Sequence, residues 1–165
     1  MKAVDFRRLM GFWATGVSVI TAQGDQGPAG ATANALSSLS LEPPLALVCF
    51  DLSSRTLAAV RESERFGINM LSAGQEDVSR LFATKKSQEE KFAEIDHHLV
   101  QGVPVIDDCL AYLVCGLDSE LRRGDHVVVV GEVVAGGVDE RAVPLVYYRG
   151  SYQPLPDHRK ASDDG

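Results

Sequence analysis

The chain has 165 residues, 45% of them apolar and 24% charged, the profile of one compact domain able to bury an adequate core. Its formal net charge of -7 has no compensating basic stripe, which argues against nucleic acid as a partner because phosphate contacts need clustered Lys and Arg. No apolar run approaches the ~18 residues of a membrane span, and Cys49, Cys109 and Cys115 lack the spacing of a zinc or disulfide framework. The expected setting is a soluble, cytoplasmic protein with reduced thiols, no nucleic-acid or membrane partner, and a small-molecule ligand.

Helical spacing runs from Asp5 to Phe12, and "GVSVITAQG" then alternates β-branched residues and closes at glycine, so a short helix feeds a strand. "GATANALSSLSLEPP", residues 30–44, reads as a bent strand of small residues ended by Pro43 and Pro44. "LALVCFD" and "FGINML" are apolar runs of strand length, "RTLAAVRES" and "QEDVSRLFA" are short helices, and "AEIDHHLVQGVP" is a loop. The second half is extended: "CLAYLVCGLDSEL", a turn at Arg123, Gly124 and Asp125, then "HVVVVGEVVAG" and "PLVYYRGSYQP". The domain is expected to span residues 1–155, with the polar stretch 156–165 a disordered tail. Many strands and few short helices predict a mainly β, antiparallel barrel or sandwich rather than a doubly wound sheet.

Within residues 30–44, Thr32, Asn34, Ser37 and Ser38 offer donors and acceptors without charge, among side chains small enough for a flat molecule to lie against the backbone. Close packing of another backbone accounts for the same composition equally well. In "FDLSSRTLAAV", Ser53 or Ser54 caps the following helix. Arg55 and Thr56 then stand in its first turn, where a cation opposes the helix dipole unless an anion is also bound there. His126 opens a strand just past a glycine-containing turn; such histidines are commonly solvated, but one at a sheet rim can also clamp a substrate. His97 and His98, beside Glu94 and Asp96, are chain neighbours that do not converge on one ion, so no metal site is expected.

In this order, "FRRLMGFWATGVSVITA", "GATANALSSLSLEPPLALVCFD", "SSRTL", "FGINML", "LFA", "KF", "GDHVVVVGEV" and "PLVYYRGSY" resemble the short-chain flavin reductase family, from about Phe6 to Tyr152. The resemblance implies an FMN-binding, antiparallel split β-barrel of Greek-key type, and NAD(P)H-dependent reduction of FMN or FAD with release of reduced flavin to a partner monooxygenase. By it, Thr32, Ala33 and Asn34 line the flavin ring and ribityl chain, with Ser37 and Ser38 close by and Cys49, Phe50 and Asp51 alongside. Ser53, Ser54, Arg55 and Thr56 hold the phosphate, Phe82, Ala83, Lys91 and Phe92 match a later flavin-proximal segment, and Gly124, Asp125 and His126 match the nicotinamide-side motif. The family pattern has a tryptophan in the loop after Phe92, which this chain lacks.

Hydride transfer requires no general base, so the resemblance assigns His126 to nicotinamide positioning, with proximity and orientation supplying most of the acceleration. Family members of this type build the flavin site between two subunits, and the apolar runs "LALVCF" and "HVVVVGEVV" supply surface for a homodimer. Two other readings remain open from sequence: a flavin carrier without turnover, and an oxidase of the pyridoxamine-phosphate type sharing the barrel.

Overall fold

A computed structural model describes residues 1–155; the expected disordered tail at 156–165 lies outside the described residues. The elements in chain order are α1 (Ala3–Met10), β1 (Thr15–Gly16), β2 (Ser18–Gly24), β3 (Gly27–Ala33), β4 (Leu36–Leu41), β5 (Pro44–Asp51), α2 (Arg55–Ser63) and β6 (Arg65–Met70). They continue with α3 (Glu76–Ala83), α4 (Gln88–Ala93), β7 (His97–Val100), β8 (Val103–Ile106), β9 (Ala111–Arg123), β10 (His126–Val138), β11 (Val146–Tyr148) and β12 (Ser151–Gln153). The fold is mainly β, as the residue pattern predicts.

Seven strands form one sheet in the order β3-β2-β6-β9-β10-β5-β4, with every neighbouring pair antiparallel. Its two edges, β3 and β4, follow one another in the chain and are separated by Asn34 and Ala35 alone. A two-residue link spans roughly 10 Å at most, so the sheet curls until its edges approach one another at this end. The reading of residues 30–44 as one bent strand is thereby corrected: the stretch forms the end of one edge strand and the whole of the opposite one.

The concave side holds the main core. Alternate residues of β5 (Ala46, Val48, Phe50) and of β10 (Val127, Val129) point into it, meeting Ile20, Phe66 and Ile68. Helix α2 closes the core with Leu57 and Val60, one turn apart, and with the neighbouring Ala59. Gly131 sits where a Cβ would come to 2.5 Å of the Phe66 ring and 2.7 Å of the Cys115 Cβ. The β9–β10 pairing shifts register beside it.

Two elements were not expected. The presumed loop 93–104 is overlapped by a strand hairpin, β7 with β8, whose Val103 and Val105 pack into a third core cluster with Val114. Helix α4 is short, and it is set by a capping box in which Ser87 and Glu90 satisfy each other's backbone N–H groups. The segment "PLVYYRGSYQP" folds back on itself as β11 and β12, turning at Arg149 and Gly150, both at positive φ.

Candidate flavin and dinucleotide site

Antiparallel pairing brings the end of β5 to the start of β10, so that Asp51 is the register partner of His126. Beside them ends the edge strand β3. The cavity of about 290 Å³ between these strand ends is lined by residues 31–35, Cys49, Phe50, Asp51, Ser54 and His126. Eight residues singled out from sequence, Thr32, Ala33, Asn34, Cys49, Phe50, Asp51, Ser54 and His126, thus share one wall although nearly a hundred positions separate the first from the last.

The wall is held from behind. Thr32 Oγ1 donates to the Ser79 carbonyl at 2.6 Å, Gly30 N–H donates to Gln88 Oε1 at 2.8 Å, and Ser18 Oγ donates to the Ala33 carbonyl at 2.8 Å. Gly30 admits the Phe82 ring so closely that a Cβ there would lie 2.6 Å from it. Ser79 and Gln88 carry no signal as ligand residues in the sequence. The Ser87-x-x-Glu90 spacing is a helix start that could have located Gln88 in a first turn.

At the other end of the cavity, Ser54 caps α2 by accepting from the Leu57 N–H at 3.3 Å. The N–H groups of Arg55 and Thr56 occupy positions that have no acceptor within a helix, and the buried Thr56 Oγ1 has no hydrogen-bond partner among the described residues. The two backbone donors, with the exposed Arg55 guanidinium beside them, fit a phosphate monoester, while the Thr56 hydroxyl itself is enclosed. Ser53 is otherwise engaged: its N–H and its hydroxyl both donate to Asp51 Oδ1, at 2.7 and 2.6 Å. The hydroxyl contact, then the backbone contact and the charge of His126, hold the Asp51 carboxyl below its ordinary range.

His126 is half-exposed, and its Nδ1 lies 2.8 Å from Asp125 Oδ1, leaving Nε2 for a ligand. The same contact lowers the Asp125 carboxyl below its usual range. An imidazole whose Nδ1–H donates to a carboxylate presents Nε2 as an oriented acceptor, and as a donor only in the protonated ring.

Other residues singled out from sequence lie outside this cavity. Ser37 and Ser38 lie on β4, exposed and outside the cavity, with Ser37 Oγ donating to the Ser38 carbonyl at 2.9 Å. The strand break at Asn34 and Ala35 sends them to the opposite sheet edge. Phe82 and Phe92 are core side chains stacked edge to face at 5.2 Å, outside the cavity. Lys91 is buried behind them, donating from Nζ to the Phe82 carbonyl at 3.1 Å, and burial, with Arg55 nearby, pushes its ammonium below the ordinary lysine range. Ala83 is exposed at the end of α3. Of these four, Phe82 packs against the wall at Gly30.

The flavin reductase-like domain family matches residues 10–156. The reductase component of a 4-nitrophenol 4-monooxygenase/4-nitrocatechol 2-monooxygenase from Rhodococcus opacus is 38% identical over 161 residues, covering 98% of this chain and 85% of that protein. A flavin reductase (NADH) from Kitasatospora aureofaciens is 40% identical over 154 residues, covering 92% of this chain and 81% of its own. Among solved structures, an NADH:FAD oxidoreductase from Streptomyces globisporus, in complex with NAD and FAD fragments, superposes with a TM-score of 0.87 at 31% identity, covering 93% of each chain.

Fold and site together define an oxidoreductase built on a curled antiparallel sheet. The chain belongs to the flavin reductase-like domain family.

Proposed function

We propose that the protein reduces FMN or FAD with NADH or NADPH and delivers the reduced flavin to a partner monooxygenase. The observation that carries this reading is the convergence on one cavity of an uncharged wall at Thr32–Asn34, the α2 cap residue Ser54, and an oriented imidazole. Flavin and reduced nicotinamide, when bound, supply the hydride acceptor and donor.

The chain's own contributions are binding and orientation. Ser54, Arg55 and Thr56 hold the phosphate end, and Thr32, fixed through its hydroxyl to Ser79, presents the β3 backbone to the ring. His126 positions the nicotinamide through Nε2, while Asp125 keeps the imidazole in place. Neither residue has to remove a proton from carbon, so the rate rests on placement.

The sheet is a split β-barrel of Greek-key type in this reading, supported by the two-residue link between its outermost strands. The working form is a cytoplasmic homodimer. None of the residues of α1 is buried against its own chain, and Phe6, Leu9, Met10 and Trp13 are exposed together. One domain over residues 1–155 carries these functions.

The test mixes protein, NADH or NADPH, and excess FMN or FAD, and follows nicotinamide absorbance. Oxidation of many equivalents of dinucleotide per protein supports the reductase. A single stoichiometric bleach makes the protein a flavin carrier, and turnover of a phosphorylated amine without nicotinamide assigns it to the pyridoxamine-phosphate oxidase type.

A further inference from the structure

His126 closes the β9–β10 hairpin, and the residue it closes against is Arg123. The two are register partners across the turn formed by Gly124 and Asp125, just as Asp51 is the register partner of His126 on its other side. Register partners in antiparallel strands point to the same face of a sheet. The side chains of Arg123, His126 and Asp51 therefore stand in one row, running from β9 through β10 to β5. His126 and Asp51 line the flavin-side cavity, and Arg123 continues the row one strand beyond it. The next pair, Arg122 with Val127, faces the other way, since Val127 is a core residue.

Arg123 is exposed, and its Nη1 donates to the Arg122 carbonyl at 2.8 Å. Among the described residues no acidic side chain pairs with it. The two carboxylates of its own turn and row are engaged elsewhere: Asp125 with His126 Nδ1 at 2.8 Å, and Asp51 with the N–H and hydroxyl of Ser53. A cation directly across the ladder from a residue that can itself become a cation is unfavourable. An anion held between Arg123 and His126 reverses that balance.

One ribose separates the nicotinamide ring from the nearest phosphate of the dinucleotide, and Arg123 is the next side chain along the row from His126. Its planar fork of N–H groups matches two phosphate oxygens. We propose that Arg123 binds the phosphate on the nicotinamide ribose of NAD(P)H, directing the dinucleotide away from the flavin wall across β10 toward β9. The assignment rests on the reductase reading above, which puts the nicotinamide at His126.

The experiment compares wild type, Arg123→Gln, Arg123→Lys and Arg122→Gln at saturating flavin with three reductants: NADH, reduced nicotinamide mononucleotide and reduced nicotinamide riboside. The last two differ only in the phosphate. Arg123→Gln is expected to lower kcat/KM for NADH and for the mononucleotide about tenfold or more, through KM, and to leave the riboside within about twofold of wild type. Arg123→Lys keeps the charge without the fork and recovers part of the loss. Arg122→Gln, on the opposite face, shifts none of the three by more than about twofold. The wild-type KM for the mononucleotide rises with salt, and that of Arg123→Gln stays flatter. Equal losses with all three reductants would show that Arg123 acts through His126 and would overturn the proposal. No loss with any of them, or a loss confined to NADH, would overturn it as well. A wild-type protein that oxidises no dinucleotide with any flavin would instead remove the reductase reading, and the proposal with it.

Discussion

Arg55 reaches across to the carbonyl of Lys86 at 2.9 Å, tying the first turn of α2 to the loop between α3 and α4. The guanidinium is thereby held beside the helix N-terminus at which Thr56 Oγ1 lacks a partner. Arg55→Ala combined with Thr56→Ala should weaken FMN by about 2–4 kcal/mol, because charge-assisted bonds to phosphate are lost. Riboflavin, which has no phosphate, should bind as before. Fluorescence quenching titrations of both flavins check this, and equal weakening of the two would remove the phosphate assignment.

The three thiols should separate by environment. Cys49 lines the flavin-side cavity, burial and two neighbouring aspartates raise the Cys109 thiol, and burial pushes Cys115 up to about 12. Only the thiolate reacts with alkylating agents. At pH 8 the native protein should therefore modify Cys49 first, Cys109 slowly, and Cys115 only after unfolding. Saturating FMN should protect Cys49 selectively. Mass spectrometry of digested, alkylated protein reads each site, and an unprotected Cys49 would place the flavin elsewhere.

Gly131→Ala should destabilise the fold by about 1–3 kcal/mol, since its Cβ would press on both the Phe66 ring and Cys115. The lesion lies in the core behind β10, so flavin affinity per folded molecule should be retained. Urea melts monitored by circular dichroism give the stability, and an unchanged midpoint would mean that the Phe66 ring moves aside without cost.

In the proposed homodimer a second copy of the chain covers the exposed apolar residues of α1. Phe6 and Leu9 are 58% and 52% exposed, and an obligate interface buries roughly 2,000 Å² or more. Light scattering at micromolar concentration should give twice the chain mass, and Phe6→Asp/Leu9→Asp should shift it toward the monomer. A wild-type monomer that still turns over would exclude the homodimer.

Local chemistry explains which parts of this molecule can be read in its sequence. β5, β6, α2 and α3 announce themselves because a strand-length apolar run or a helical stripe is complete within each segment. β7 escapes because His98 and Leu99 are both exposed and no alternation is visible, and six-residue α4 is too short for a helical period. The lining of the cavity is legible at Asn34, Ser54 and His126, each beside a strand end or a helix cap that its residue type announces. Phe82, Lys91 and Phe92 follow the family pattern, but their burial depends on β2, β3 and the α3–α4 packing, which residue types alone do not reveal. Ser37 and Ser38 leave the wall for an equally non-local reason, the sheet order that puts β3 and β4 on opposite edges.

His126→Ala is the most direct test of the proposed catalysis, measured as kcat/KM for NAD(P)H at saturating flavin in parallel with flavin affinity by fluorescence quenching. The expected result is a 10- to 100-fold loss in kcat/KM, about 1.4–2.7 kcal/mol of transition-state stabilisation, with flavin affinity unchanged and a pH profile close to wild type. An unchanged kcat/KM, or a loss confined to flavin affinity, would contradict the assignment of His126 to the nicotinamide.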